Sequence, residues 1–205
     1  MQNGRYPIRS ICVYCGSGCG TNPAYLKSAI EFGRILAEND VRLVYGGGAN
    51  GLMGGIARSV LAHGGKVTGV IPGSLVELEG LIDEVEKIIV RDMHERKMQM
   101  FKRADAFVAF PGELGTLEEL LEQLTWAAIG HHNKPIVIAN VCRYWDGFLD
   151  LIDHMRDKEF IRPKIEVDLL VAEEVDQILP LIGAMTVNDS LEHNDMTNAA
   201  IAENF

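Results

Sequence analysis

The stretch "VRLVYGGGANGLMGGIARSVL" (residues 41–61) contains a strand, a glycine-rich turn and the start of a helix. The apolar, β-rich run 41–45 predicts a buried strand. Glycines interrupt this run, and Leu52, Ile56 and Val60 then recur at a spacing of four, which places them on one face of a helix. A strand that leads through a tight turn into a helix is the repeating unit of α/β folds.

The same unit recurs along the chain. Helical patterns alternate with further apolar runs typical of buried parallel strands, at residues 8–14, 66–71, 86–90, 104–110 and 135–141. This alternation predicts a doubly wound α/β domain, that is, a Rossmann-like parallel sheet flanked by helices. Ligands of such sheets bind at the carboxyl ends of the strands.

Length and patterning favour a single domain over residues 1–185 of the 205-residue chain. The segment "EEVDQILPLIGAM" predicts a closing helix that Pro180 ends or kinks. Residues 186–205 are polar and show no strand pattern, so we interpret them as a mobile tail or an arm that docks onto a partner.

Composition excludes several classes of function. A formal net charge of −10 disfavours a nucleic acid or an anionic membrane as partner. The first ten residues, "MQNGRYPIRS", lack the apolar core of a secretory signal, so we expect a cytoplasmic protein. The four cysteines are not joined by a second Cys or His pair at the spacing of a zinc site, so we expect no metal.

Three glycine clusters follow predicted strands: "CGSG", "YGGGANGLMGG" and "PGELG". Glycine lets the backbone approach a ligand closely, and a following helix N-terminus presents unpaired N–H groups. One such turn is explained by tight packing alone, but three at one sheet edge favour binding of a nucleotide phosphate. The first two clusters contribute the candidate substrate-binding residues Gly16, Ser17, Gly46, Gly47 and Gly48.

Acidic residues follow the third glycine cluster. Thr116 and Glu119 have the spacing of a capping box, so Thr116 is predicted to open a helix, and Glu119 could serve only that helix start. Glu118 and Glu122 lie four residues apart and could form a solvated face. A functional role for these acids requires a cationic counterpart.

The stretch "RDMHERKMQM" (residues 91–100) supplies that counterpart. The guanidinium of Arg96 offers a planar fork of donors that matches phosphate or carboxylate, and Lys97 offers a compact charge. Most such basic pairs lie on the surface without a function, so the prediction depends on the neighbouring turns.

Together, "YGGGANGLMG", "MHERK" and "PGELGTLEE" resemble the LONELY GUY family of cytokinin-activating nucleotide hydrolases, often labelled lysine-decarboxylase-like. The likeness runs from about Ile8 to Gly183. Members cleave the N-glycosidic bond of cytokinin riboside 5′-monophosphates, and often of AMP, to give free base and ribose 5-phosphate. The resemblance implies this hydrolase activity without a cofactor, and at least a homodimer.

The resemblance also implies roles for single residues. Arg96 and Glu119 match the catalytic pair of the family. Its substrate-contacting positions are matched by Glu79, Lys97, Gly112, Gly115, Thr116, Leu117, Glu118 and Thr125. Glu113 occupies the place of the second glycine in the family motif, and Gly18 and Ala128 stand where serine and glutamine are common.

Hydrolysis of a ribosyl bond passes through an oxocarbenium-like state, which a carboxylate can stabilise while it activates water. We expect Glu119 in this role and Arg96 to orient the substrate and keep Glu119 ionised. The N–H groups of the third glycine turn, together with Thr116, would hold the 5′-phosphate. An anionic Glu113 there would compete with or repel that phosphate, and would be strained if its φ were positive.

Two alternatives remain open from the sequence. A pyridoxal-phosphate decarboxylase needs a lysine for a Schiff base, and Lys97 is the only lysine near the motifs. A catalytically silent nucleotide-binding protein is the other, because Glu113 could spoil the phosphate turn.

Overall fold

A parallel sheet forms the centre of the molecule. The computed structural model describes residues 8–161 and 169–186. Seven strands pair in the order β4-β3-β2-β1-β5-β6-β7. They are β1 Ser10–Tyr14, β2 Arg42–Tyr45, β3 Val67–Pro72, β4 Glu86–Val90, β5 Ala106–Ala109, β6 Ile136–Ala139 and β7 Leu170–Ala172.

Helices cover both faces of the sheet. They are α1 Pro23–Glu38, α2 Gly51–Ala62, α3 Val76–Glu79, α4 Met93–Arg103, α5 Leu114–Ala128, α6 Asp146–Asp157 and α7, residues 178–186. One core cluster contains Phe32 of α1 and Ile56 of α2, and the other contains Met100 of α4 and Leu120 of α5. The predicted doubly wound α/β fold is confirmed. None of the helices in this described part has the length and apolar character that crossing a membrane requires.

Strand order reverses at β1, which pairs with β2 on one side and β5 on the other. Val13 is aligned with Tyr45, and Tyr14 is aligned with Ala109. The loops that follow these three strands therefore emerge side by side at the carboxyl edge, where open α/β sheets bind ligands.

Three predictions about the elements need correction. Strand β4 is an exposed edge strand, with Ile89 62% exposed, rather than a buried one. Strand β7 is only three residues long, too short to show a period, and was not predicted. Pro180 lies in the first turn of α7, where its missing N–H has no intrahelical acceptor, so the helix continues to residue 186.

Residues 187–205 lie outside the described residues, and the proposed tail stays a prediction. Its first residue, Thr186, belongs to α7.

Gly33 allows α1 and α2 to pack closely. A Cβ atom at this position would lie 2.7 Å from the carbonyl oxygen of Ile56 and 2.8 Å from Cβ of Ser59. Helix propensity favours alanine by about 1 kcal/mol, but we expect Gly33→Ala to lower the free energy of unfolding by about 2 kcal/mol because the helices must separate. Urea denaturation measures this.

Gly147→Ala is the matched control, because nothing lies within 4 Å of a Cβ at this position in α6. It should keep or raise stability. An equal gain in both variants would contradict the close contact of α1 with α2.

Candidate active site

A cleft opens at the carboxyl edge of β1 and β5. Most of the predicted site residues line it: Ser17, Gly46, Glu79, Arg96, Glu113, Gly115, Thr116, Glu118 and Glu119. They come from loops and helices that are far apart in sequence, and the switch in strand order brings them together.

Four of the predicted glycines, Gly16, Gly47, Gly48 and Gly112, belong to the loops that bear the cleft but are not among the residues that line it. A Cβ at Gly16 would lie 3.3 Å from Cα of Gly112, so the first and third glycine loops touch. Gly47 has a φ of +86° and a Cβ there would lie 2.9 Å from Cβ of Ile71, so both conformation and space require glycine.

Gly48 brings Glu79 into the cleft. A Cβ at Gly48 would lie 2.8 Å from Oε2 of Glu79, and the N–H of Ala49 donates to the Glu79 carbonyl over 3.0 Å. Helix α3 is thereby docked on the second glycine loop, which places the Glu79 carboxyl at the cleft.

Arg96 enters the cleft from α4. Its Nη2 atom donates to the Gly46 carbonyl over 3.3 Å, and its buried Nε has no partner among the described residues. A Cβ at Gly46 would collide with the guanidinium, which explains the glycine there. Arg96 is thus anchored at one end while other donors remain for a ligand.

Glu119 lies inside the second turn of α5. This helix begins at Leu114 with Glu113 as its N-cap, so the prediction that Thr116 opens the helix in a capping box is wrong. The Glu119 side chain is buried, with 9% exposure, and within the described residues it forms no hydrogen bond or ion pair. A structural capping role is therefore absent.

Burial raises the pKa of Glu119 to about 7, and the opposing pull of the Arg96 charge does not overcome this effect. Arg96 therefore favours the ionised form of Glu119, as expected, but by less than burial disfavours it. A carboxyl group with such a pKa is divided between acid and carboxylate at neutral pH, which suits proton transfer.

Lys97 lies beside the cleft rather than in it. Its Nζ atom is 2.6 Å from Oε1 of Glu118 and 2.7 Å from Oε2 of Glu122, so both acids pair with Lys97, although Glu118 is also exposed to solvent. Burial alone would lower the pKa of Lys97, but the hydrogen bonds that Lys97 donates to both carboxylates outweigh this effect, and the pKa is raised. A Schiff base needs a neutral amine, so Lys97 suits the decarboxylase alternative poorly.

Two further predicted contacts point away from the cleft. Leu117 packs against the core cluster around Leu120. Thr125 is exposed, donates to the Leu121 carbonyl over 2.7 Å, and lines a separate apolar pocket between α5 and α6. The positions of Leu117 and Thr125 along α5 therefore direct neither side chain into the cleft of the same chain.

The start of α2 is not free to bind an anion. The N–H groups of Leu52 and Met53 donate to the Gly16 carbonyl over 3.2 Å and 3.4 Å. The first glycine loop therefore already satisfies these two donors at the start of α2.

The start of α5 is the better anion site. The N-cap side chain of Glu113 does not cap its own helix. The N–H groups of Leu114, Gly115 and Thr116 therefore have no acceptor within the helix. Two of these residues line the cleft, where the positive end of the helix dipole adds to the attraction for a phosphate.

Glu113 reaches across to the first glycine loop. Its Oε1 atom accepts from the Ser17 N–H over 2.9 Å, from the Ser17 hydroxyl over 2.7 Å and from the Gly18 N–H over 3.4 Å. The hydrogen bond from the Ser17 side chain contributes most to lowering the pKa of Glu113. Its φ is −92°, so the backbone carries no strain.

Five of the residues that line the cleft were not predicted as site residues: Val13, Tyr14, Cys15, Met53 and Met93. Burial raises the pKa of Tyr14, which keeps its phenol neutral. Met53 lies in the second glycine cluster, which contains Gly46, and Met93 lies in the basic stretch, which contains Arg96. Only this proximity in the sequence could have indicated that the two methionines line the cleft. Within the described residues, no three His, Cys, Asp or Glu side chains gather to hold a metal.

Comparisons with known proteins show which family the chain resembles. The family described as possible lysine decarboxylase matches residues 53–182. A probable cytokinin riboside 5′-monophosphate phosphoribohydrolase of Oryza sativa subsp. japonica is 43% identical over 87% of this chain and 78% of its own length. A cytokinin riboside 5′-monophosphate phosphoribohydrolase of Arabidopsis thaliana is 46% identical over 80% of this chain and 76% of its own.

The fold also occurs in more distant proteins. The molybdenum cofactor carrier protein of Chlamydomonas reinhardtii matches 88% of this chain and 98% of its own with a TM-score of 0.66 and 20% identity. This likeness concerns the fold alone.

Proposed function

The chain belongs to the LONELY GUY family of cytokinin riboside 5′-monophosphate phosphoribohydrolases, and from this membership we propose that it hydrolyses the N-glycosidic bond of cytokinin riboside 5′-monophosphates and of AMP. The products are the free base and ribose 5-phosphate. The observation that carries the proposal is the buried Glu119, with a pKa of about 7, which shares a cleft with Arg96 and the start of α5.

The 5′-phosphate lies at the start of α5 in this proposal. The N–H groups of Gly115 and Thr116 donate to its oxygens, and the Thr116 hydroxyl adds a donor. The binding energy of this remote group serves to position the glycosidic bond near Glu119, one turn further along the helix.

Glu119 performs the chemistry. In its ionised form it stabilises the positive charge that develops on the ribose, and it accepts the proton of the water that attacks C1′. The bond from C1′ to the base nitrogen breaks, and that nitrogen takes up a proton as the base departs. A pKa near neutrality lets Glu119 release its proton again for the next turnover.

Arg96 orients the substrate through the phosphate or the ribose hydroxyls. Its anchored guanidinium offers directed donors that a flexible lysine would not. Met53 and Met93 line the cleft with polarizable thioethers, which suit the flat face of a purine.

A catalytically silent nucleotide-binding protein is the second candidate, favoured by the contact of Glu113 with Ser17. One assay separates the two. The protein is incubated with AMP, with an isoprenoid-substituted AMP and with adenosine, and free base is measured by chromatography. Release from the nucleotides but not from adenosine supports the hydrolase. Nucleotide binding without release supports the silent protein, and equal turnover of adenosine contradicts the phosphate site.

Homodimerisation is part of the proposal. Large apolar side chains are exposed on α5 and after α6, among them Leu121 at 41% and Phe160 at 78%, and they border the apolar pocket that contains Thr125. We assign a second copy of the chain as their partner because the family resemblance implies at least a dimer. Thr125, which faces away from its own cleft, could then reach the neighbour's.

We expect Phe160→Asp to convert the dimer to a monomer, because a carboxylate would be buried without a partner in the interface. Light scattering should give about twice the 22.6 kDa chain mass for the wild type and a single chain mass for the variant. Ile30→Asp is the control, since Ile30 is also exposed, at 44%, but lies on α1. A monomeric wild type, or equal dissociation of both variants, contradicts this interface.

The cytoplasmic location stays a prediction, and cell fractionation tests it.

A further inference from the structure

We propose that the Glu113 carboxylate is an internal anion that competes with the 5′-phosphate of the substrate for the Ser17 and Gly18 donors, and so sets how strongly the enzyme prefers nucleotides to nucleosides. The inference rests on the proposed function and deepens it at one subsite. Glu113 acts on binding and is not a catalytic residue.

The Ser17 and Gly18 donors converge on one oxygen. Two backbone N–H groups and a hydroxyl meet at Oε1 of Glu113 over 2.7 to 3.4 Å, a pattern of donors that also suits a phosphate oxygen. A carboxylate therefore already occupies a ready-made anion cradle.

This cradle faces the start of α5 across the same cleft, which both Ser17 and Thr116 line. A phosphate at the N–H groups of α5 would therefore lie next to the Ser17 donors. It can use them only if Glu113 withdraws, because each N–H or O–H proton serves one strong acceptor at a time.

The Glu113 carboxylate has no cationic side chain as a partner among the described residues. Its pKa is lowered by hydrogen bonds from Ser17 and Gly18 rather than by a cation. It remains anionic at neutral pH, so a dianionic phosphate meets both an occupied cradle and a like charge.

The Glu113 side chain can move away from the Ser17 and Gly18 donors. It is exposed, and its backbone adopts a φ of −92° that any residue tolerates. Glu113→Gly therefore empties the cradle without backbone strain, and glycine is itself an acceptable N-cap. Glu113→Gln removes the charge but keeps an oxygen that can accept from Ser17, so its effect should be smaller.

The experiment measures the affinity of ribose 5-phosphate by calorimetry, which requires no turnover. We expect Glu113→Gly to bind at least about fivefold more tightly than the wild type, and Glu113→Gln to bind with intermediate affinity. Glu84→Gln is the control, because Glu84 is exposed, carries the same charge and lies outside the cleft. It should leave the affinity unchanged.

A second readout is the ratio of kcat/KM for AMP to that for adenosine, which should rise at least about fivefold in Glu113→Gly. The gain should persist in 0.5 M salt, because competition for donors is direct and is not screened as a distant charge is. A gain that disappears in salt would overturn direct competition.

Equal or weaker ribose 5-phosphate binding in both Glu113 variants would overturn the inference and show that the carboxylate supports the site. The proposed hydrolysis is tested separately. If no base is released but Glu113→Gly binds ribose 5-phosphate more tightly, the proposed hydrolase activity is contradicted and the competition between Glu113 and a phosphate still holds. Circular dichroism verifies that both variants fold.

Discussion

Replacement of Glu119 by Gln should lower the rate of base release by about 10²- to 10⁴-fold and leave nucleotide binding largely intact. An amide has nearly the shape of the carboxyl group, but it neither accepts a proton from water nor balances an oxocarbenium charge. Because Glu119 lies in the second turn of α5 and does not cap it, the loss cannot be attributed to a broken helix start.

The same variant should be more stable than the wild type at alkaline pH. The pKa of Glu119 is raised from 4.5 to about 7 in the folded protein. Its contribution to stability is thus fully present below about pH 4.5 and is lost as the pH rises through about 7. The difference between these values corresponds to about 3 kcal/mol.

Urea denaturation of both proteins between pH 5 and pH 8 measures this effect. The stability of Glu119→Gln relative to the wild type should increase across that range. Glu84→Gln should show no such pH dependence, since Glu84 is exposed. Full activity of Glu119→Gln would contradict its role as the base. A difference in stability that does not depend on pH would contradict its raised pKa.

Arg96→Ala should lower kcat/KM for AMP by about 10²-fold or more, because it removes directed donors from a partly buried site. It should also move the acid limb of the pH–rate profile to higher pH. The positive charge of Arg96 lowers the pKa of Glu119, so its removal lets burial raise that pKa further. More alkaline conditions are then needed to ionise the base.

Arg96→Lys separates charge from geometry. The ammonium group keeps the positive charge, so the acid limb should stay near its wild-type position. It cannot reproduce the guanidinium fork that donates to the Gly46 carbonyl, so kcat/KM should still fall. An acid limb that does not move in Arg96→Ala would contradict the electrostatic link between Arg96 and Glu119.

Sequence motifs located the cleft but not the direction of every side chain in it. Glu79 and Arg96, both predicted as site residues, line the cleft. Lys97 follows Arg96 directly, yet successive residues of a helix point in different directions, and Lys97 reaches α5 instead. Thr125 follows Glu119 by six residues and lies on the outer face of the same helix.

The sequence by itself determined the fold class and the edge of the sheet where function lies. Short apolar runs between amphipathic segments admit few architectures, and in a parallel sheet all the strand ends, with their glycine turns, face one way. These are properties of local periodicity and chain order, which can be read without coordinates.

Only the tertiary structure decided what the acidic residues do. The raised pKa of Glu119 comes from burial by distant elements, and the contact of Glu113 with Ser17 joins residues 96 positions apart. Desolvation and long-range hydrogen bonds depend on which surfaces meet when the chain packs, so two glutamates of one motif acquire opposite pKa shifts.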